Sequence, residues 1–129
     1  MTGFAAMPDG SIPWHPVLVF LGGGTGAVAR FLLGRAFAAP GGFPWATFGI
    51  NVLGSLLLGI IVVLAKDRPG WLALLGAGFC GGFTTFSAFG LETLRLLEAE
   101  EYASAGGYVL GSVIAGIAGA WIGVQLARG

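Results

Sequence analysis

The sequence predicts an all-α membrane protein: four transmembrane helices, the third of them broken, assembled as an antiparallel dual-topology dimer. Three observations lead there. Only 9% of the 129 residues are charged and 56% are hydrophobic, whereas a soluble domain carries about 25% charged residues. With a mean hydropathy of +0.89, too little polar surface remains to wrap a water-facing globule. The charges also punctuate the chain, leaving uncharged stretches at 36–65, 69–91 and 102–127, and a fourth at 17–33 interrupted only by Arg30. Each is long enough to cross about 30 Å of hydrocarbon as a helix. Finally, the Lys and Arg residues are balanced between the two sides of a four-span chain.

At this length the chain is one domain. Residues 1–15 contain Gly3, Pro8, Gly10 and Pro13 and read as an unstructured lead-in to a four-span domain at 16–129. His15 falls outside the spans, as a solvated interfacial residue. The apolar run 17–33 with Ala36-Phe37-Ala38 mimics a signal peptide and its cleavage site. Residues 1–15 hold no Lys or Arg, however, and the run is too long for an h-region, so it reads as the first span, 16–34. Two prolines and two glycines in 38–44 make a turn. Span two follows at 45–65, then the polar turn Lys66-Asp67-Arg68-Pro69-Gly70. Span three runs over 71–91, an acidic helical surface connection over 95–101, and span four over 106–126. Trp14, Trp45, Trp71 and Trp121 fall near the ends of these spans, where interfacial Trp is expected.

Lipid tolerates only helices or closed barrels, so the spans should be helical. The pairs Gly22/Gly26, Gly78/Gly82 and Gly119/Gly123 have G-x-x-x-G spacing, which lets helices approach closely. No internal repeat is visible. Four spans place Lys66, Arg68 and Arg128 on one side and Arg35, Arg95 and an outward-reaching Arg30 on the other. The positive-inside rule then selects no orientation. Insertion both ways and antiparallel pairing follow as a hypothesis, supported by the difficulty of enclosing a polar path with four short helices.

The polar residues inside the spans form four groups. Arg30, within span one, is either an arginine reaching to the interface or a cation lining an aqueous vestibule that draws anions. Thr47, Asn51, Ser55 and Gly59 recur every fourth residue on span two and so share one small, polar stripe. Asn51 is the costliest of them to bury unpaired; it bonds another helix or donates to a permeating anion. In span three, Gly81-Gly82-Phe83-Thr84-Thr85 favours a helix break. Unwound backbone at membrane depth exposes carbonyls, which suit a hard cation such as sodium. Phe86 and Phe89 follow at i and i+3, and their electropositive ring edges suit an anion as well as core packing. Tyr108 and Ser112, one turn apart on span four, add two hydroxyl donors, for interhelical bonding or for the ion.

Several functions are excluded. Net charge is zero with no basic patch, so nucleic acid is no partner. Gly24–Ala29 fits G-x-G-x-x-A, but no acid lies between Asp9 and Asp67 to complete a dinucleotide site. The single Cys80 sits in an apolar span as a small packing residue. No nucleophile–base arrangement or metal-ligand cluster marks an enzyme. Donors, aromatic edges and one Arg, with no acid in the spans except Glu92 at an edge, suit an anion.

The segments Gly22–Arg30 (GGGTGAVAR), Asn51-Val52-Leu53-Gly54 and Gly78–Ser87 (GFCGGFTTFS) resemble the Fluc/CrcB family of fluoride-specific ion channels, in the family's order and over nearly the whole of 17–126. The resemblance implies an antiparallel dual-topology homodimer in the bacterial cytoplasmic membrane. It implies two pores that export fluoride passively and a structural, untransported sodium ion at the dimer centre. By motif position, backbone carbonyls of Gly81 and Thr84 would hold the sodium. Asn51, Phe86, Phe89, Ser87, Tyr108, Ser112 and Arg30 would line the fluoride pathway. One departure stands out. The family commonly reads T-T-F-S-T-F-S where this chain has Thr84-Thr85-Phe86-Ser87-Ala88-Phe89-Gly90, so a hydroxyl is missing at Ala88 and a heterodimer is the alternative assembly.

Three rivals remain. A small multidrug exporter needs an embedded carboxylate, and span one has none. A proton-coupled antiporter needs a titratable group in the pathway, for which Tyr108 and Glu92 are poor candidates. A non-conducting partner subunit would use the same features structurally.

Overall fold

Trp14 opens the first helix, and every regular element that the computed structural model describes, over residues 14–129, is helical. Helix α1 is Trp14–Ala36 and α2 is Trp45–Leu64. The third span is composite: α3 (Pro69–Trp71), a π-helical stretch (Leu72–Cys80), α4 (Gly81–Phe83), a break, and α5 (Phe86–Glu98). Helix α6 is Tyr102–Arg128. Four spans are long and apolar enough to cross a membrane, of 23, 20, 30 and 27 residues.

The described residues correct the expected boundaries at several points. Trp14 and His15 belong to α1, and His15 is only 7% exposed, so it is packed rather than solvated; the rest of the expected lead-in, 1–13, lies outside the described residues. Gly81 and Gly82 remain helical, and the chain opens after them. Glycine permits a break without forcing one, and here the β-branched pair Thr84-Thr85 takes the extended conformation that such residues favour. The expected helical connection at 95–101 is the end of α5. Helix α5 stops in a Schellman turn, with Glu100 at φ 58° and the N–H groups of Glu100 and Glu101 donating to Leu97 and Leu96 carbonyls at 3.0 and 2.9 Å. The chain then reverses directly into α6, so span four begins before Gly106.

The helices pair as α1 with the first half of span three, and α2 with α6. Both seams are made by glycine. A Cβ at Gly22 or Gly26 would strike backbone of the π stretch, and one at Gly59 or Gly123 would strike backbone across the α2–α6 seam. Backbone contact this close needs small residues, which supply the dispersion that holds helices together in lipid. The outer surface is apolar: Phe20, Phe31, Ile114, Ile117 and Trp121 are all more than half exposed. In water such a surface would drive aggregation; around a transmembrane bundle it is the lipid face.

Candidate functional site

The break between α4 and α5 is the organising feature. Thr84 (φ −85°, ψ 158°) and Thr85 (φ −150°, ψ 122°) are extended, so backbone groups that a helix would pair are released inside the membrane. Each then needs another partner. The Asn51 side chain supplies two: its Oδ1 accepts from the Thr85 N–H at 2.8 Å, and its Nδ2 donates to the Thr85 carbonyl at 3.1 Å. The Thr84 N–H and hydroxyl both donate to the Cys80 carbonyl, at 3.0 and 2.8 Å. Arg30 Nε donates to the Gly82 carbonyl at 3.0 Å. The Thr85 hydroxyl caps α5 by accepting from the Ala88 N–H at 3.2 Å, a standard N-cap.

These bonds leave several carbonyls without a helical donor. In a continuous helix the Thr85 N–H would serve Gly81 and the Ala88 N–H would serve Thr84. Both donors are diverted, to Asn51 and to the Thr85 hydroxyl. Gly81 and Thr84, the pair to which the sequence resemblance assigns a cation, are therefore among the carbonyls whose helical donors are lost at the break.

An open cleft of about 400 Å³ lies beside the break, lined by Asn51, Ser55, Cys80, Gly81, Thr84, Phe86, Phe89 and Ser112 among others. Phe86 is 83% exposed, and its ring lies 5.6 Å from that of Phe89. The Ser112 hydroxyl is buried and has no partner among the described residues, so it is free to serve a ligand. Ser55 donates to the Asn51 carbonyl of its own helix at 2.8 Å. Ser87 lies 3.3 Å from the Thr85 hydroxyl and faces outward.

A second polar group lies beyond Phe89, whose ring packs on that of Tyr108 with centroids 5.1 Å apart. Tyr108 is fully buried, and its hydroxyl donates to Glu92 Oε2 at 2.9 Å. Thr47 Oγ1 donates to Glu92 Oε1 at 2.7 Å. Glu92 and Thr47 line a further cleft of about 490 Å³, open beside Arg95 and Glu101. Ser112 and Phe89 in the first cleft, then Tyr108, then Glu92 in the second form a spatial succession from one cleft to the other.

Several sequence expectations are narrowed here. Of the two span-four hydroxyls, Tyr108 makes an interhelical bond, to Glu92, and Ser112 makes none among the described residues. The stripe on α2 serves three different partners: Thr47 takes Glu92, Asn51 takes Thr85, and Gly59 takes the α6 backbone. Glu92, dismissed at the edge of its span, is the acceptor for two spans. Its signal was present: an acid three residues short of the nearest arginine, in an apolar segment, requires donors.

The first cleft offers a free serine hydroxyl, the second N–H of Asn51 Nδ2, and phenyl edges, with no carboxylate in its lining. That set suits a small anion. The family profile described as CrcB-like protein, Camphor Resistance (CrcB), matches residues 17–124. Curated relatives are similar over most of their length. The fluoride-specific ion channel FluC of Novosphingobium aromaticivorans is 46% identical over 125 residues, covering 86% of this chain and 94% of that protein. The FluC of Phocaeicola vulgatus is 42% identical, with 87% and 97% covered. That of Oceanobacillus iheyensis is 46% identical, with 86% and 89% covered.

Proposed function

The chain belongs to the CrcB family, and from that premise we propose that it is a fluoride-selective passive channel of the bacterial cell membrane. It is a multi-pass ion channel rather than an enzyme, and it relieves fluoride toxicity by letting the anion leave. The observation that supports this most is the donor-rich cleft at the broken third span, which carries no acid among its lining residues. Fluoride is small and tightly hydrated, so close donors must replace its water. Ser112, the free N–H of Asn51 and the edges of Phe86 and Phe89 are such donors.

The finer reading is an antiparallel homodimer with both orientations in one membrane. Balanced Lys and Arg support it, as does a cleft open on the flank of the single chain. The Gly81 and Thr84 carbonyls fit a sodium ion, since both have lost their helical donors and hard cations take carbonyl oxygens. The ion would neutralise carbonyl dipoles at the dimer centre and fix the break; it is not transported. Arg30 supports an anion-attracting vestibule, its Nε engaged with Gly82 and the rest of its guanidinium available.

A second reading rests on Glu92, an embedded carboxylate held by Thr47 and Tyr108: proton-coupled exchange. Reconstituted vesicles decide between them. A channel releases fluoride only when a counter-ion can follow, without regard to a pH gradient. An exchanger releases it against protons without any potassium carrier.

A further inference from the structure

We propose that α1 sets the rotational phase of the broken span, with Gly22, Gly26 and Arg30 as its positioning residues. The nine residues Leu72–Cys80 are π-helical, and the Gly81 N–H still reaches back five residues to the Gly76 carbonyl. π-Helix beyond a single turn is rare, so contacts from outside must hold it. Those contacts come from α1. A Cβ at Gly22 would strike the Leu74 carbonyl and lie 2.9 Å from the Phe79 nitrogen. These two atoms are five residues apart, the acceptor and donor spacing of a π turn. One turn along α1, a Cβ at Gly26 would strike the Phe79 carbonyl and lie 2.9 Å from the Phe83 nitrogen, a four-residue pair with α spacing. The Gly22–Gly26 step therefore spans the change from π to α in the facing helix.

The contact is reciprocal. A Cβ at Gly78 would lie 3.1 Å from Gly22 Cα, and one at Gly82 would strike the Gly23 carbonyl. Arg30 then closes the seam through its bond to the Gly82 carbonyl. Gly82 faces α1, whereas its neighbour Gly81 lines the cleft. A slip of one residue toward α geometry would turn everything beyond the stretch by about 100°. It would carry the Gly81 carbonyl out of the cleft.

Cys80, the last residue of the π stretch and the chain's single cysteine, is 2% exposed and reports the phase directly. A thiol introduced by Gly81→Cys in a Cys80→Ser background reports the adjacent, exposed position, where a Cβ meets nothing within 4 Å. The full chain in membrane vesicles is treated with a small methanethiosulfonate, and extracted protein is checked for monodispersity. Arg30→Gln and Gly22→Ala are compared with Gly24→Ala, whose added Cβ meets nothing. Loss of the Arg30 bond should speed modification of Cys80 by about tenfold and slow modification at position 81; Gly22→Ala should do the same. Gly24→Ala should change neither. Unchanged rates at both positions in Arg30→Gln, or faster rates at both together, which is loosened packing without rotation, overturn the proposal; if Gly22→Ala fails to insert, Arg30→Gln alone decides. The proposal rests on the channel reading only for the importance of the break. Because the thiol rates need no ion flux, failure of one reading leaves the other standing.

Discussion

The Asn51 carboxamide is paired with both backbone groups of Thr85, accepting from its N–H at 2.8 Å and donating to its carbonyl at 3.1 Å. One side chain on α2 thus takes the place of a missing helical turn in span three. Asn51→Ala should unpair two backbone groups inside the membrane. The expected cost is roughly 2–5 kcal/mol, together with loss of fluoride flux. Thermal unfolding in detergent and flux in vesicles check both; a variant with wild-type stability would show that the clasp contributes nothing. Asn51→Asp retains the acceptor but not the donor, and should lose flux while unfolding less readily than Asn51→Ala.

Phe86 separates function from folding. It is 83% exposed, so Phe86→Ile removes little packing and should change stability by less than about 1 kcal/mol. Flux should nevertheless fall, because an aliphatic side chain offers no electropositive ring edge. Equal flux in Phe86→Ile and wild type would take Phe86 out of the pathway.

Glu92 accepts from Thr47 and Tyr108 at 2.7 and 2.9 Å. Tyr108→Phe should destabilise by about 1.5–3 kcal/mol, the value of a hydrogen bond to a charged group. Glu92→Gln should be milder than Glu92→Leu, since a carboxamide still bonds hydroxyls that can turn, whereas leucine leaves both hydroxyls unpaired. Unfolding midpoints of the three variants, measured in one detergent, test this order. Passive conduction further predicts that Glu92→Gln leaves no pH-coupled component to lose.

The glycine seams make a sharp pairwise prediction. Gly59→Ala places a Cβ on the Ala120 carbonyl, while Gly107→Ala meets nothing within 4 Å. The first should force α2 and α6 apart and cost about 1–3 kcal/mol; the second should be neutral or slightly stabilising, as alanine favours helix. Similar unfolding of the two variants would mean that close backbone approach at Gly59 is not what holds this seam.

The four spans were legible because charge placement and uncharged length register directly in sequence, and tryptophans mark three of the helix starts. The glycine seams were legible in part: Gly22, Gly26 and Gly123 appear as G-x-x-x-G, whereas the Gly59 contact with Ala120 does not. The break was legible within Gly81–Thr85 but its exact place was not, because glycine signals permission to unwind while the extended conformation is chosen at Thr84-Thr85 and fixed by Asn51, over thirty residues away. The π stretch has no local signature, since its register depends on α1. The partners of Glu92 were hidden for the same reason. Position in a span was visible, but the two donors that hold the carboxylate come from α2 and α6.

The central claim is passive fluoride conduction, and efflux from proteoliposomes loaded with potassium fluoride tests it most directly, read with a fluoride electrode before and after valinomycin, with potassium chloride as the control. The account predicts fluoride release only once valinomycin lets potassium follow, and no chloride release in either condition. Fluoride release without valinomycin that tracks an imposed proton gradient, or no release at all from folded protein, would contradict it.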